Sequence, residues 1–72
     1  MDKEQLLKRF GKNVKIERIK KDLKQADVAE RLGIEQNYIA KIELGMQNMS
    51  LGKILELANA LGVHVEDLLK FK

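Results

Sequence analysis

QADVAERLGIEQNYIAKIEL, the stretch from Gln25 to Leu44, decides the fold of this chain. With Gln25 as position 1, Val28, Leu32, Ile34, Ile39 and Ile42 fall at positions 4, 8, 10, 15 and 18, with Ala29 at position 5 and Gly33 at position 9. This apolar spacing predicts two short helices that share an inner face. Ala29 is small enough to let the helices cross closely, and Gly33 can take the positive φ that reverses the chain after Leu32. The apolar side chains fill the inner face, so the outer face of the second helix is left free for a partner. That is the plan of a helix-turn-helix over residues 25–44.

The 72 residues suffice for one domain, residues 1–72, built on a single small core. The chain has no cysteine, which excludes disulfide staples and thiolate–zinc sites. With 44% hydrophobic residues but only two phenylalanines and one tyrosine, the core must be aliphatic, as in a compact helical bundle. No apolar run approaches the ~18 residues of a membrane span, and the first residues lack the apolar segment of a signal peptide. A soluble, cytoplasmic protein is expected. The net charge of +3 is unevenly spread: residues 1–24 carry nine Lys or Arg against four acids, residues 25–72 five against seven. A basic first helix suits contact with phosphates at one face, and equally a solvated amphipathic helix.

The chain has no proline, no strand-like alternation and no repeat; glycines punctuate it instead. Asp2 followed by Gln5 forms a capping-box pattern that opens a helix running to Asp22. Leu6, Phe10 and Val14 form its inner stripe, with Leu7 and Arg18 along the edge. A second helix spans 24–32 and a third 35–44, followed by a loop at 46–49. Ser50 caps a fourth helix that ends at Leu61 before Gly62, with Ile54, Leu57, Ala58 and Leu61 facing inward. A short fifth helix over 65–70 closes the core with Leu68 and Leu69.

Five short helices around a helix-turn-helix resemble the Cro/repressor-type (XRE-like) DNA-binding domains of phage and bacteria over Phe10 to Leu69. LKQADVA (Leu23–Ala29), IAKIELG (Ile39–Gly45) and LANALGV (Leu57–Val63) match the family's pattern. QNMSL (Gln47–Leu51) resembles the loop of its small restriction-modification controller proteins. The resemblance implies an all-α, compact five-helix bundle of the lambda-repressor-like type. It also implies sequence-specific binding of double-stranded DNA by a transcriptional regulator, a repressor or autoregulator, of bacterial or phage origin.

A second helix of this kind enters the major groove with its N-terminal residues toward base edges. Those residues are Glu35, Gln36, Asn37 and Tyr38, with Ala40 and Lys41 one turn on. Helical geometry puts Gln36, Asn37, Ala40 and Lys41 opposite Ile39 and Ile42. The planar amides of Gln36 and Asn37 suit bidentate pairing with adenine, and Lys41 can reach guanine or a phosphate. Gln25 opens the first helix of the motif, where free N–H groups and the helix dipole favour a phosphate. The resemblance adds a backbone contact by the Gln25 side chain, whose amide can also bridge to the start of the third helix. Lys24 and Asn48 are placed as further phosphate contacts. The resemblance also implies an ion pair between Arg18 and Glu43 that orients the third helix from beneath.

Several positions depart from the family pattern. Lys24, Glu35 and His64 stand at helix starts where Ser or Thr is usual, each loss of a cap typically costing about 1 kcal/mol. Glu35 can cap its helix, read cytosine N4 or lower non-specific affinity. Glu17 falls on the inner stripe of the first helix, whereas Ile16 and Ile19 point outward. Either the helix bends, or Glu17 pairs with a buried cation, or the two isoleucines cover a partner. His64 has no companion at ligand spacing, so no metal and no cofactor are expected, and no catalytic constellation emerges.

One such domain contacts too few base pairs to be selective, which predicts a homodimer on a pseudo-palindrome. Its interface is expected at Val65, Leu69 and Phe71, helped by Leu61 or His64; a tail folded back on its own core would account for Phe71 as well. A reading of another class is an antitoxin-type module that binds a partner toxin through Ile16, Ile19, Met46 and Met49.

Overall fold

The structure, a computed structural model, describes residues 1–71 and consists of five α-helices. They are α1 (Lys3–Lys20), α2 (Gln25–Leu32), α3 (Gln36–Glu43), α4 (Leu51–Leu61) and α5 (Val65–Leu68). The expected all-α bundle is thus the fold, with boundaries shifted by a residue or two where caps fall outside the helical turns. Among the described residues, no helix is long and apolar enough to cross a membrane.

One core joins all five helices. Phe10 and Val14 from α1, Val28 and Ala29 from α2, Ile39 and Ile42 from α3, Ile54, Leu57, Ala58 and Leu61 from α4, and Leu68 from α5 are buried together. In α1, α3 and α4 they recur at i, i+3 or i+4 spacing, and in α2 the adjacent Val28 and Ala29 share the inner face with the partly buried Leu32, so burying the stripes against one another fixes the packing. Leu6 departs from its expected place: it is exposed, because the first turn of α1 projects beyond the neighbours that cover Phe10 and Val14. Ile34 is also exposed, since the turn after Gly33 holds it at the rim of the motif rather than inside. Leu69 lies just beyond α5 and is exposed, leaving Leu68 to close the core.

The helix ends explain the revised boundaries. Asp2 and Gln5 form the reciprocal capping box, each side chain accepting from the other's backbone N–H at 2.8 and 3.0 Å. At the far end α1 stops at Lys20 rather than Asp22. Asp22 takes a left-handed φ of 57°, and the Leu23 N–H returns to the Arg18 carbonyl at 3.1 Å. Gly33 supplies the left-handed turn between α2 and α3 at φ 67°. None of Lys24, Glu35 and His64 caps with its side chain. Two of the three starts are nonetheless tied. Asp27 accepts from the Lys24 N–H at 2.8 Å and Asp67 from the His64 N–H at 3.1 Å, leaving Glu35 with no side-chain cap.

Glu17 needs neither a bend nor a buried cation. Its side chain is mostly covered, and its carboxylate reaches the edge of the bundle, where the exposed Lys20 ammonium meets it at 3.5 Å. Gly11 has an unexpected importance. A Cβ there would run into the Ile42 carbonyl oxygen and lie 2.7 Å from that of Glu43, so α1 and α3 touch backbone to backbone.

Candidate nucleic-acid interface

The helix-turn-helix holds α3 by its inner face alone. Ile39 and Ile42 are fully buried, while Gln36, Asn37 and Lys41 are exposed and Ala40 is half-buried beside them. Among the described residues, the Gln36, Asn37 and Lys41 side chains make no hydrogen bond within the chain, so their donors and acceptors face outward. Glu35, at the N-cap of α3, is exposed as well. Tyr38 differs: its ring is half-buried against the core and shares an open groove with Ile34, Asn37 and Lys41.

Beneath α3 lies a polar clamp. Arg18 donates from Nε to Glu43 Oε2 at 2.7 Å and from Nη2 to Glu43 Oε1 at 3.0 Å, and its Nη1 donates to the Leu23 carbonyl at 2.9 Å. The Arg18 side chain is 12% exposed and that of Glu43 4%. The fork-to-fork geometry makes this a directional link from α1 to the last turn of α3. The hydrogen bond to Glu43 raises the Arg18 pKa, against the lowering effect of burial.

Gln25 joins the same carboxylate, its Nε2 donating to Glu43 Oε1 at 3.1 Å. The amide therefore bridges to the end of α3, not to its start. The correction has a geometric cause: α2 and α3 cross so that the first residue of one meets the last residue of the other. Gln25 keeps its carbonyl oxygen and one amide hydrogen for anything outside. Lys24 is exposed beside it, and Asn48 is exposed in the loop after α3, at the border of an apolar groove with Phe10 and Ile54. The charge of the first helix is less focused on this face than its composition suggests. Arg9 and Lys12 line a different groove, with Lys70 and Phe71.

Other expected contacts change place. Leu61, assigned to a dimer surface, is 1% exposed and belongs to the core. Val65 and Phe71 are half-buried and pack against the core, so the tail does fold back on its own domain; His64 and Leu69 remain exposed. Met49 also packs against the core, whereas Met46, Ile16 and Ile19 are exposed. The outer edge of α4 holds two leucines that periodicity alone assigned to no partner, Leu51 and Leu55, 75% and 50% exposed. Their i, i+4 spacing was a usable signal, since it continues the apolar stripe beyond the width the core can cover. Among the described residues, no group of three or more His, Cys, Asp or Glu is placed to hold a metal ion.

Two short helices, α2 and α3, packed across the left-handed turn at Gly33 define a helix-turn-helix protein. The chain belongs to the helix-turn-helix family, whose model matches residues 14–68. Control protein C.BamHI of Bacillus amyloliquefaciens is 38% identical over 63 residues, 86% of this chain and 78% of that protein. The uncharacterized HTH-type transcriptional regulator y4dJ of Sinorhizobium fredii is 42% identical over 60 residues, 82% of this chain and 78% of that protein. Among solved structures, the restriction-modification controller protein C.AhdI from Aeromonas hydrophila superposes with a TM-score of 0.80 at 35% identity, covering 86% of this chain and 94% of its own.

Proposed function

We propose that this protein is a transcriptional regulator that binds double-stranded DNA sequence-specifically, a repressor or autoregulator acting as a homodimer on a pseudo-palindromic operator. The observation that carries this reading is the exposed, unbonded edge of α3, with Gln36, Asn37 and Lys41 pointing away from a helix whose other face is buried. The relatives support it: one is named a control protein and another an uncharacterized HTH-type transcriptional regulator.

In this reading Gln36 and Asn37 pair with bases, Lys41 reaches guanine or phosphate, and the Ala40 methyl meets a thymine methyl. Tyr38 lies at the margin of the groove, and Glu35 accepts from cytosine N4. Gln25, Lys24 and Asn48 hold phosphates, with the free N–H groups at the start of α2 beside them. The dimer surface is drawn at Leu69 with His64, extended by Leu51 and Leu55. The test is a double change, Gln36→Ala with Asn37→Ala, against an operator selected in vitro from random duplexes. Each lost bidentate contact should cost about 1–3 kcal/mol, so specific binding falls at least about tenfold while circular dichroism and thermal melting stay at wild type. Unchanged affinity for the selected operator would show that α3 is not the reader.

A further inference from the structure

The side of α1 that faces away from α3 carries a groove that the DNA reading does not use. Its walls are Arg9, Lys12, Asn13 and Ile16 from α1 and Lys70 and Phe71 from the segment after α5; no residue of α2 or α3 contributes. The groove is built rather than incidental. Asn13 Nδ2 donates to the Leu68 carbonyl and to the Lys70 carbonyl, both at 3.0 Å, and these bonds hold the tail alongside α1. Among the described residues, no carboxylate lines it. Among the described residues, Arg9 and Lys12 enter no ion pair, while Lys70 meets Asp67 at 3.2 Å. Ile16, 40% exposed, and one side of Phe71 offer an apolar surface between the cations.

We propose that this groove docks an acidic peptide segment of another protein, one carrying an aliphatic or aromatic anchor between its carboxylates. Charge complementarity selects an anionic occupant, and the apolar strip selects among anions. A nucleic-acid backbone would use Arg9, Lys12 and Lys70 but would gain nothing from covering Ile16 and Phe71, whereas an acidic amphipathic peptide uses both. Because the tail is already fastened through Asn13, little ordering is required on the protein side. The site lies outside the α3 surface, so a regulator bound to DNA would keep it open to a partner.

The probe is a synthetic octapeptide with a central Leu-Phe pair flanked by Asp and Glu, titrated into the ¹⁵N-labelled chain. Amide shifts are expected at Arg9, Lys12, Asn13, Ile16 and Phe71. Binding should weaken about tenfold or more when the Leu-Phe pair becomes Ser-Ser, and by a similar factor in Arg9→Gln/Lys12→Gln or in Ile16→Ser. All three substituted residues are on or beside the exposed face of α1, and melting of each variant checks that it folds. Operator binding by the Arg9→Gln/Lys12→Gln variant should remain within about threefold of wild type, which separates failure of this proposal from failure of the DNA reading. Absence of shifts in the groove, equal binding of the Ser-Ser peptide, or tighter groove binding by a twelve-base-pair duplex than by the octapeptide would each overturn it.

Discussion

Glu43 is the residue on which the orientation of α3 turns. One carboxylate accepts from two guanidinium nitrogens of Arg18 and from the amide of Gln25, and all three partners sit in a largely covered site. Such a pair adds little over an apolar replacement of the same shape, but removing one member strands the other. Glu43→Leu should therefore destabilise the fold by about 3–5 kcal/mol, and Arg18→Met with Glu43→Leu together by much less than the two singles added. Urea denaturation of the four proteins gives this cycle directly. Loss of the carboxylate also frees Gln25, so Glu43→Leu in the Arg18→Met background should bind operator more weakly than its restored stability would suggest. The pair itself contributes no pH dependence from the arginine side: Arg18 is raised, so its contribution is complete at every pH below the ordinary guanidinium range.

At the scale of elements, Gly11 and Asp67 determine how helices meet and begin. Gly11→Ala would push a methyl into the Ile42 and Glu43 carbonyls, backbone atoms that cannot rotate away. A loss of about 1–3 kcal/mol is expected, with a fall in operator affinity that exceeds it because α3 is displaced along with its clamp. Asp67 anchors α5, and the Lys70 hydrogen bond, then that from the His64 N–H, hold its carboxyl below the usual aspartate range. A depressed acid stabilises the fold above its unfolded pKa of about 3.9, and the effect is lost as pH falls through the lower folded value. Asp67→Asn keeps an acceptor for His64 but removes the titration. Its melting temperature should lie under that of wild type at neutral pH, and the gap should close as pH falls below the ordinary aspartate range. The spacing of Val28, Leu32, Ile39 and Ile42 made the motif legible because burial of a helical stripe leaves a periodic trace. Gly11 left no such trace; the helix that crowds it is distant in sequence. Glu17 was ambiguous for a related reason, since periodicity marks a side that faces inward and not how far along it the neighbours reach. The outward residues of α3 were legible by elimination, while the coupling of Gln25 to the far end of that helix depends on a crossing angle that no local pattern encodes.

For the whole molecule, the proposed function raises the question of how so small a surface would read DNA selectively. The chain exposes 4926 Å², and a standard protein interface takes about 800 Å² from each partner, a substantial fraction of that total. The proposed dimer therefore needs a dense apolar centre, and Leu51, Leu55 and Leu69 are the exposed leucines drawn into it. Leu55→Glu places a charge in that centre without touching the buried stripe of α4. It should move the sedimentation equilibrium to monomer and make operator binding weaker and steeper in protein concentration, with melting of the monomer little changed. The salt dependence then tests the DNA face independently of assembly. If Lys24 and Lys41 of two subunits each neutralise one phosphate, log K should fall with log salt at a slope of about −3.6, and Lys41→Gln should reduce its magnitude by about 1.8. Leu55→Glu should leave the slope per bound subunit unchanged, because the loss lies in coupling the two halves rather than in the contacts of either. A wild-type chain that stays monomeric at high micromolar concentration, on and off the operator, would instead require each domain to find its half-site alone.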